Sequence, residues 1–246
     1  MRRLEDLKVK LFADGADMDG MREMAKNPFI RGFTTNPTLM RKAGIKDYAA
    51  FARSILVAID DRPISFEVFD DDFDAMVDQG REIASWGKNV NVKVPVTNTR
   101  GEFSGKVIRT LAKEGIALNI TAVMTLEQVL SIATVLEHDV SAIVSVFAGR
   151  IADTGTDPIP LMQRCKAVLA KLPKAELLWA SPREVLNIFQ ADEVGCDIIT
   201  ATSDIIAKLA LHGKNLTDYS RETVQMFYRD AAASSYTIKT RRSEAA

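Results

Sequence analysis

The sequence is poor in the residues that build metal sites and disulfide frameworks. Across 246 residues it has two cysteines, Cys165 and Cys196, and two histidines, His138 and His212. All four are isolated, without CxxC or mixed Cys/His spacing, so neither a disulfide scaffold nor a metal site is expected, and a reducing, cytoplasmic setting is. No apolar run approaches the ~18 residues a membrane span needs. The opening Met-Arg-Arg-Leu-Glu-Asp-Leu-Lys mixes charges and never enters an apolar stretch, so a membrane is not an expected partner. Nor is there an excess of one charge. The formal net charge is −1, and lysines and arginines form no stripe, which argues against nucleic acid as a partner. What is present, 47% hydrophobic and 26% charged residues, is the make-up of an ordinary soluble enzyme or binding protein.

A unit of one kind recurs along the chain: a short apolar strand, then a stretch of helical period. The strand candidates are residues 8–14, 32–36, 63–68, 89–96, 117–123, 142–149, 176–181 and 196–202. Helical stretches are expected at 47–59, 71–86, 105–114, 126–137, 157–172, 182–191 and 203–211, often opening on a capping residue or proline. Eight strands with interleaved helices in about 250 residues predict an α/β fold, a single-domain (β/α)8 TIM barrel over about 8–212, with a doubly wound open sheet as the alternative. An additional C-terminal helix over 219–233 belongs to an extension running from about 213 to 246.

Strand parity sharpens the barrel, because alternate side chains share a face. Val90, Val92, Val94 and Val96 fall on one side of the fourth strand, and Asn89, Asn91 and Lys93 on the other. Ser65 and Glu67 oppose Ile64, Phe66 and Val68; Asn119 and Thr121 oppose Leu118, Ile120 and Ala122. The same split sets apart Asp14, Thr34 with Asn36, and Ser145 with Phe147. One half-exposed antiparallel strand would alternate in this way too. In β/α units, however, helices cover the outer face, so the polar parity points inward, toward the C-terminal mouth where active sites form.

Lys93 is the conspicuous member of this set. Burial disfavours the ammonium form, and an uncharged amine is the form that attacks a ketone to give an imine, an electron sink for making or breaking the adjacent carbon–carbon bond. Asp14, at the end of the first strand, suits a general acid/base, and Glu67 with Thr121 suits the holding of a water. Glu67 can equally be a structural ion pair for Lys93, and Asp14 a loop residue of Asp14-Gly15-Ala16-Asp17. Arg150, Ser181 and Arg183, after the sixth and seventh strands, suit an anion. Arginine grips phosphate as a planar fork, and a hydroxyl and a helix start add neutral donors.

Six motifs in order then resemble the transaldolase family, most closely its short bacterial-type branch that includes the fructose-6-phosphate aldolases. They are Leu11-Phe12-Ala13-Asp14, Gly32-Phe33-Thr34-Thr35-Asn36-Pro37-Thr38, Val92-Lys93-Val94-Pro95-Val96-Thr97, Asn119-Ile120-Thr121, Ser145-Val146-Phe147-Ala148-Gly149-Arg150 and Trp179-Ala180-Ser181-Pro182-Arg183. The resemblance implies that Lys93 forms the imine, Asp14 transfers protons, and Glu67 and Thr121 position the catalytic water. It implies that Thr34, Asn36, Asn119 and Ser145 contact sugar hydroxyls or the imine, and that Arg150, Ser181 and Arg183 bind phosphate. The implied reaction moves a dihydroxyacetone unit from sedoheptulose 7-phosphate or fructose 6-phosphate to an aldose phosphate. Neither metal nor organic cofactor is implied, and short members resemble one another in forming homo-oligomers. The aldolases of the family carry Gln where this chain has Glu67 and Tyr where it has Phe147, so the pair here is that of the transaldolases. Ser181-Pro182-Arg183 departs from the family's commoner Ser-Phe-Arg or Ser-Phe-Lys. The rival expectations are a fructose-6-phosphate aldolase, which needs no acceptor, and a non-catalytic sugar-phosphate-binding protein, which shows no turnover.

Overall fold

Strands rich in β-branched residues, with helices between them, close on themselves in this chain. In a computed structural model that describes residues 3–238, the strands are β1 (Lys10–Asp14), β2 (Ile30–Thr34), β3 (Ile64–Glu67), β4 (Val90–Pro95), β5 (Leu118–Val123), β6 (Ala142–Val146), β7 (Ala175–Trp179) and β8 (Ile198–Thr202). They pair in sequence order, all parallel, and β8 returns to β1 to complete a closed barrel. The helices are α1 (Met18–Ala25), α2 (Pro37–Lys42), α3 (Tyr48–Ala58), α4 (Phe73–Ser85), α5 (Gly105–Lys113), α6 (Leu126–Ala133), α7 (Ala148–Asp153), α8 (Ile159–Leu169), α9 (Leu186–Val194), α10 (Ser203–Ala207) and α11 (Leu216–Ala233).

Side-chain caps mark where many helices begin. Asp17, Asn36, Asp47 and Asp72 each accept from a backbone amide two or three residues on, and Thr125 forms a reciprocal capping box with Gln128. The caps also explain departures from the expected boundaries. Asn36 is spent as the cap of α2, with Pro37 in its first turn, so β2 ends at Thr34 rather than at 36. β6 stops at Val146, and the Ala-Gly-Arg that reads as its continuation is the start of α7. The helix expected from Pro182 begins only at Leu186. α1 and α2 had no counterpart in the sequence expectations.

The expected inward parity is observed, save at Ala122, expected beside Leu118 and Ile120, which instead faces the mouth of the barrel after a register shift in β5. A methyl group added to Gly80 of α4 would sit 3.4 Å from Val92 Cγ1, so the valine side of β4 faces the helices. On the other side, Asn119 of β5 donates to Ser65 Oγ of β3 at 3.0 Å, reaching across β4, and accepts from Ser145 Oγ of β6 at 2.6 Å. Side chains of alternate strands meet in this way inside a barrel. The interior is not polar all round, however. Phe12, Ile143, Leu178 and Ile198, from β1, β6, β7 and β8, make a buried apolar cluster with Ala180, which follows β7. Gly32 of β2 is the concession to it, since a methyl group there would lie 2.5 Å from the Phe12 ring.

The described residues up to Ala207 form one compact unit, and those from Lys208 onward a second. In the second, a 3₁₀ turn at Lys208–Leu211 precedes α11, none of whose residues is buried. The expected C-terminal helix is therefore present, beginning at Leu216 rather than 219; the part of the extension beyond residue 238 lies outside the described residues. No helix among the described residues is long and apolar enough to cross a membrane.

Candidate active site

The C-terminal ends of the strands surround a cavity of about 520 Å³, and every site residue expected from the sequence lines it except Asn119. Asn119 is fully buried, as the hinge of the Ser65–Asn119–Ser145 hydrogen-bond chain.

Lys93 is 6% exposed. Its Nζ lies 3.2 Å from Glu67 Oε2 and donates to the Thr35 carbonyl at 2.9 Å. The register dictates this meeting, because Glu67 and Lys93 are direct neighbours across β3 and β4. The lysine is thus held by one charge and one dipole rather than left bare, as a buried cation requires.

Asp14 ends β1 beside Thr34, which ends β2, and accepts from the Thr34 hydroxyl at 2.8 Å. That hydroxyl is also 2.6 Å from Thr200 Oγ1 of β8. Burial raises the Asp14 carboxyl above its ordinary range; the Lys93 charge and the Thr34 hydrogen bond oppose the rise without cancelling it. A carboxyl shifted upward in a cleft that also holds a lysine is suited to taking up and returning a proton.

Thr121 is 2% exposed, and its hydroxyl has no hydrogen-bond partner among the described residues, although the residue lines the cavity. The pairing of β5 with β6 shifts after Ile120, and the next residue but one, Ala122, is left-handed with φ 60°. A bulge of this kind re-aims the side chains beside it at the mouth of the barrel.

Phe147 and Arg150 sit at the start of α7, with the Arg150 guanidinium 5.4 Å from the centre of the Phe147 ring. Ser181, at φ 59°, turns the chain left-handed after β7 and precedes Pro182 and Arg183. Backbone in that region costs a non-glycine residue about 1–3 kcal/mol, and here it is held at the cavity. The helix start expected to supply neutral donors does not lie here: the amides of Arg183 and Glu184 are taken by Asn187 Oδ1, at 2.7 and 3.2 Å. Arg183 also pairs through its Nε–Nη2 edge with both carboxylate oxygens of Asp153, and its Nη1 donates to the Ser181 carbonyl. α7 and this turn touch without an intervening side chain, since a Cβ on Gly149 would overlap the Ser181 carbonyl oxygen at 1.5 Å.

Sequence reasoning missed Thr200, Lys42 and Tyr48. The alternation of Ile198, Thr200 and Thr202 against Ile199 and Ala201 was an available signal for Thr200. Lys42, in the last turn of α2, lines the same cavity. Tyr48 lies outside the cavity lining and binds the backbone of Glu67 from behind.

The family model described as Transaldolase/Fructose-6-phosphate aldolase matches residues 11–239. The chain is 34% identical over 216 residues to a "Probable transaldolase" of Sulfurihydrogenibium sp. (strain YO3AOP1), covering 87% of this chain and 94% of that one. It is 34% identical over 205 residues to "Probable transaldolase 2" of Listeria monocytogenes serovar 1/2a (strain ATCC BAA-679 / EGD-e), covering 83% and 89%. Among solved structures, "QR15, an Aldolase" superposes with a TM-score of 0.56 over 84% of this chain and 97% of that one; at 10% identity the likeness is one of fold.

Proposed function

The chain belongs to the transaldolase/fructose-6-phosphate aldolase family, and we propose that it is a transaldolase, moving a dihydroxyacetone unit from a ketose phosphate to an aldose phosphate through an imine on Lys93. The observation that carries the reading is Lys93 itself, buried at the barrel mouth, paired to Glu67 and sharing one cavity with Asp14 and Thr121. Sedoheptulose 7-phosphate or fructose 6-phosphate is the proposed donor.

In the proposed cycle Glu67 relieves Lys93 of its proton and the amine adds to the C2 carbonyl of the ketose. Loss of water gives the protonated imine. Asp14, ionised, takes the proton of the C4 hydroxyl as the C3–C4 bond breaks. The bonding electrons move to the imine nitrogen, leaving an enamine on Lys93 and releasing an aldose phosphate. The enamine carbon then attacks the aldehyde of the acceptor, whose oxygen recovers the proton from Asp14. Water, held between Glu67 and the Thr121 hydroxyl, hydrolyses the new imine and returns the free lysine. Thr34, Asn36, Asn119 and Ser145 are the proposed contacts for sugar hydroxyls or the imine, and Phe147 is the apolar neighbour of the imine. Arg150, Ser181 and Arg183 are the proposed grip on phosphate. Asp153 occupies the Nε–Nη2 edge of Arg183, so a phosphate would share the guanidinium with that carboxylate and be met from its Nη1 side.

A homo-oligomer is proposed as the working form, supported by the exposed Leu216, Val224, Phe227 and Tyr228 of α11. A reducing, cytoplasmic setting is supported by two cysteines that are both free and buried. Borohydride reduction in the presence of fructose 6-phosphate is expected to trap a covalent adduct on the Lys93 peptide, read by mass spectrometry; no adduct there overturns the proposal. Product formation with and without an aldose phosphate separates transfer from simple aldol cleavage, which would release free dihydroxyacetone.

A further inference from the structure

The seam between β2 and β3 opens where the chemistry is. The two strands share only two register positions, Phe33 with Ile64 and Thr34 with Ser65, whereas β3 and β4 stay paired through Glu67. In a parallel strand the backbone groups of alternate residues point to opposite neighbours. Ile64 and Val68 bond toward β4, through Asn89 O and Lys93 O, while the Ser65 carbonyl accepts from Thr35 on the β2 side. Glu67 shares the direction of Ser65. By that level the chain after β2 has turned away into α2, so the amide and carbonyl of Glu67 face a gap.

One side chain fills that gap. The Glu67 amide donates to Tyr48 Oη at 2.7 Å, and Tyr48 Oη donates to the Glu67 carbonyl at 3.1 Å. A single hydroxyl thus supplies both the acceptor and the donor that a neighbouring strand would have supplied. The ring that carries it is fixed by aromatic neighbours, with Phe69, Trp86 and Phe66 at centroid distances of 4.5, 5.4 and 6.1 Å. Thr35 completes the repair. Its hydroxyl donates to the Ser65 carbonyl at 2.8 Å, and its own carbonyl accepts from Lys93 Nζ.

We propose that Tyr48 is a positioning residue, a surrogate strand edge that fixes the backbone of Glu67 and thereby sets the Glu67–Lys93 pair; as a role in turnover this rests on the transaldolase reading. Burial and the Glu67 carboxylate both push the Tyr48 phenol upward, so the hydroxyl keeps its proton, and with it its donor role, across the working pH range. Tyr48 touches no reacting atom in this scheme and acts only through Glu67.

The test compares wild type, Tyr48→Phe, Glu67→Gln and the double variant. Tyr48→Phe keeps the ring among its aromatic neighbours and removes the hydroxyl alone. The expected result is a fall in kcat of about tenfold, the equivalent of about one hydrogen bond to a buried group, with KM within about twofold. The double variant should be no slower than Glu67→Gln. Independently of substrate, Lys93 should be labelled faster by a small amine-reactive reagent in both single variants and no faster in the double, because the same pairing is lost in each. Effects of Tyr48→Phe that add to those of Glu67→Gln, or an unchanged kcat and labelling rate, overturn the inference. Hydrogen exchange on the native protein covers the case in which the variant does not fold: the Glu67 amide should exchange slowly, and fast exchange refutes the clamp. A wild type without turnover would refute the proposed function, while labelling and exchange would still decide the clamp.

Discussion

The two halves of the barrel interior use the same strand geometry for opposite ends. From β3 to β6 the inward positions carry Ser65, Glu67, Asn91, Lys93, Asn119, Thr121 and Ser145; hydrogen bonds tie Ser65, Asn119 and Ser145, and an ion pair joins Glu67 to Lys93. From β6 round to β1 the inward positions lower in the barrel carry Ile143, Leu178, Ile198 and Phe12, packed as an apolar cluster. A buried polar network is worth its desolvation only when its members are satisfied. Here Lys93, Asn119 and Ser145 are satisfied, and Thr121 Oγ1 is not, among the described residues. The apolar half supplies stability without such conditions. The division sets the candidate site on the β3–β6 side against an apolar wall on the other, so the polar groups occupy part of the barrel interior rather than all of it.

Substitutions on each side should separate the two roles. The largest effect is expected from Lys93→Met, a loss of transfer activity of at least about 10⁴-fold, measured with a ketose phosphate donor and an aldose phosphate acceptor. Asp14→Asn is expected to lower kcat by about 10²–10⁴-fold, the usual contribution of a general acid/base. It should also change the pH dependence of stability. Because burial raises the Asp14 carboxyl above its ordinary 3.8, the folded state holds that proton more tightly than the unfolded chain. The associated stability is complete below 3.8 and drains away as pH rises through the raised value. Thermal midpoints measured from pH 4 upward should therefore fall less in Asp14→Asn than in wild type. The smallest effect is expected on the apolar side. Ile198→Val should cost about 0.5–1.5 kcal/mol, a drop in Tm of about 1–6 °C, with activity per folded molecule unchanged. A large loss of turnover from Ile198→Val would erase the distinction between the halves.

Much of this was legible in the sequence because it is periodic. Strand parity alone put Asn91 and Lys93 on one face and Val92 and Val94 on the other, and the eight-fold alternation of strand and helix indicated the closed barrel. The polar parity was carried too far, since β7 and β8 keep apolar residues on the inward side at Leu178 and Ile198. Boundaries failed where a residue serves two patterns at once. Asn36 continues the alternation of β2 yet caps α2, and Ala148-Gly149 prolongs an apolar run yet starts α7. Pro182 suits a helix start, but the left-handed Ser181 and the capture of two amides by Asn187 delay α9 to Leu186. Tyr48 was illegible for a different reason. Its partner is the backbone of a residue 19 positions away, and no local pattern records which backbone groups a closing barrel leaves without a strand.

The contact at Gly149 has a consequence for what the mouth can hold. Arg150 rides on α7, and Ser181 and Arg183 on the turn after β7, and these two pieces meet backbone to backbone with a single hydrogen atom as the spacer. The gauge between the arginines is therefore set by the smallest residue in the alphabet. Any side chain at that point would act as a wedge between α7 and the Ser181 turn, and would change the size of anion that the proposed phosphate grip admits without altering a single charge.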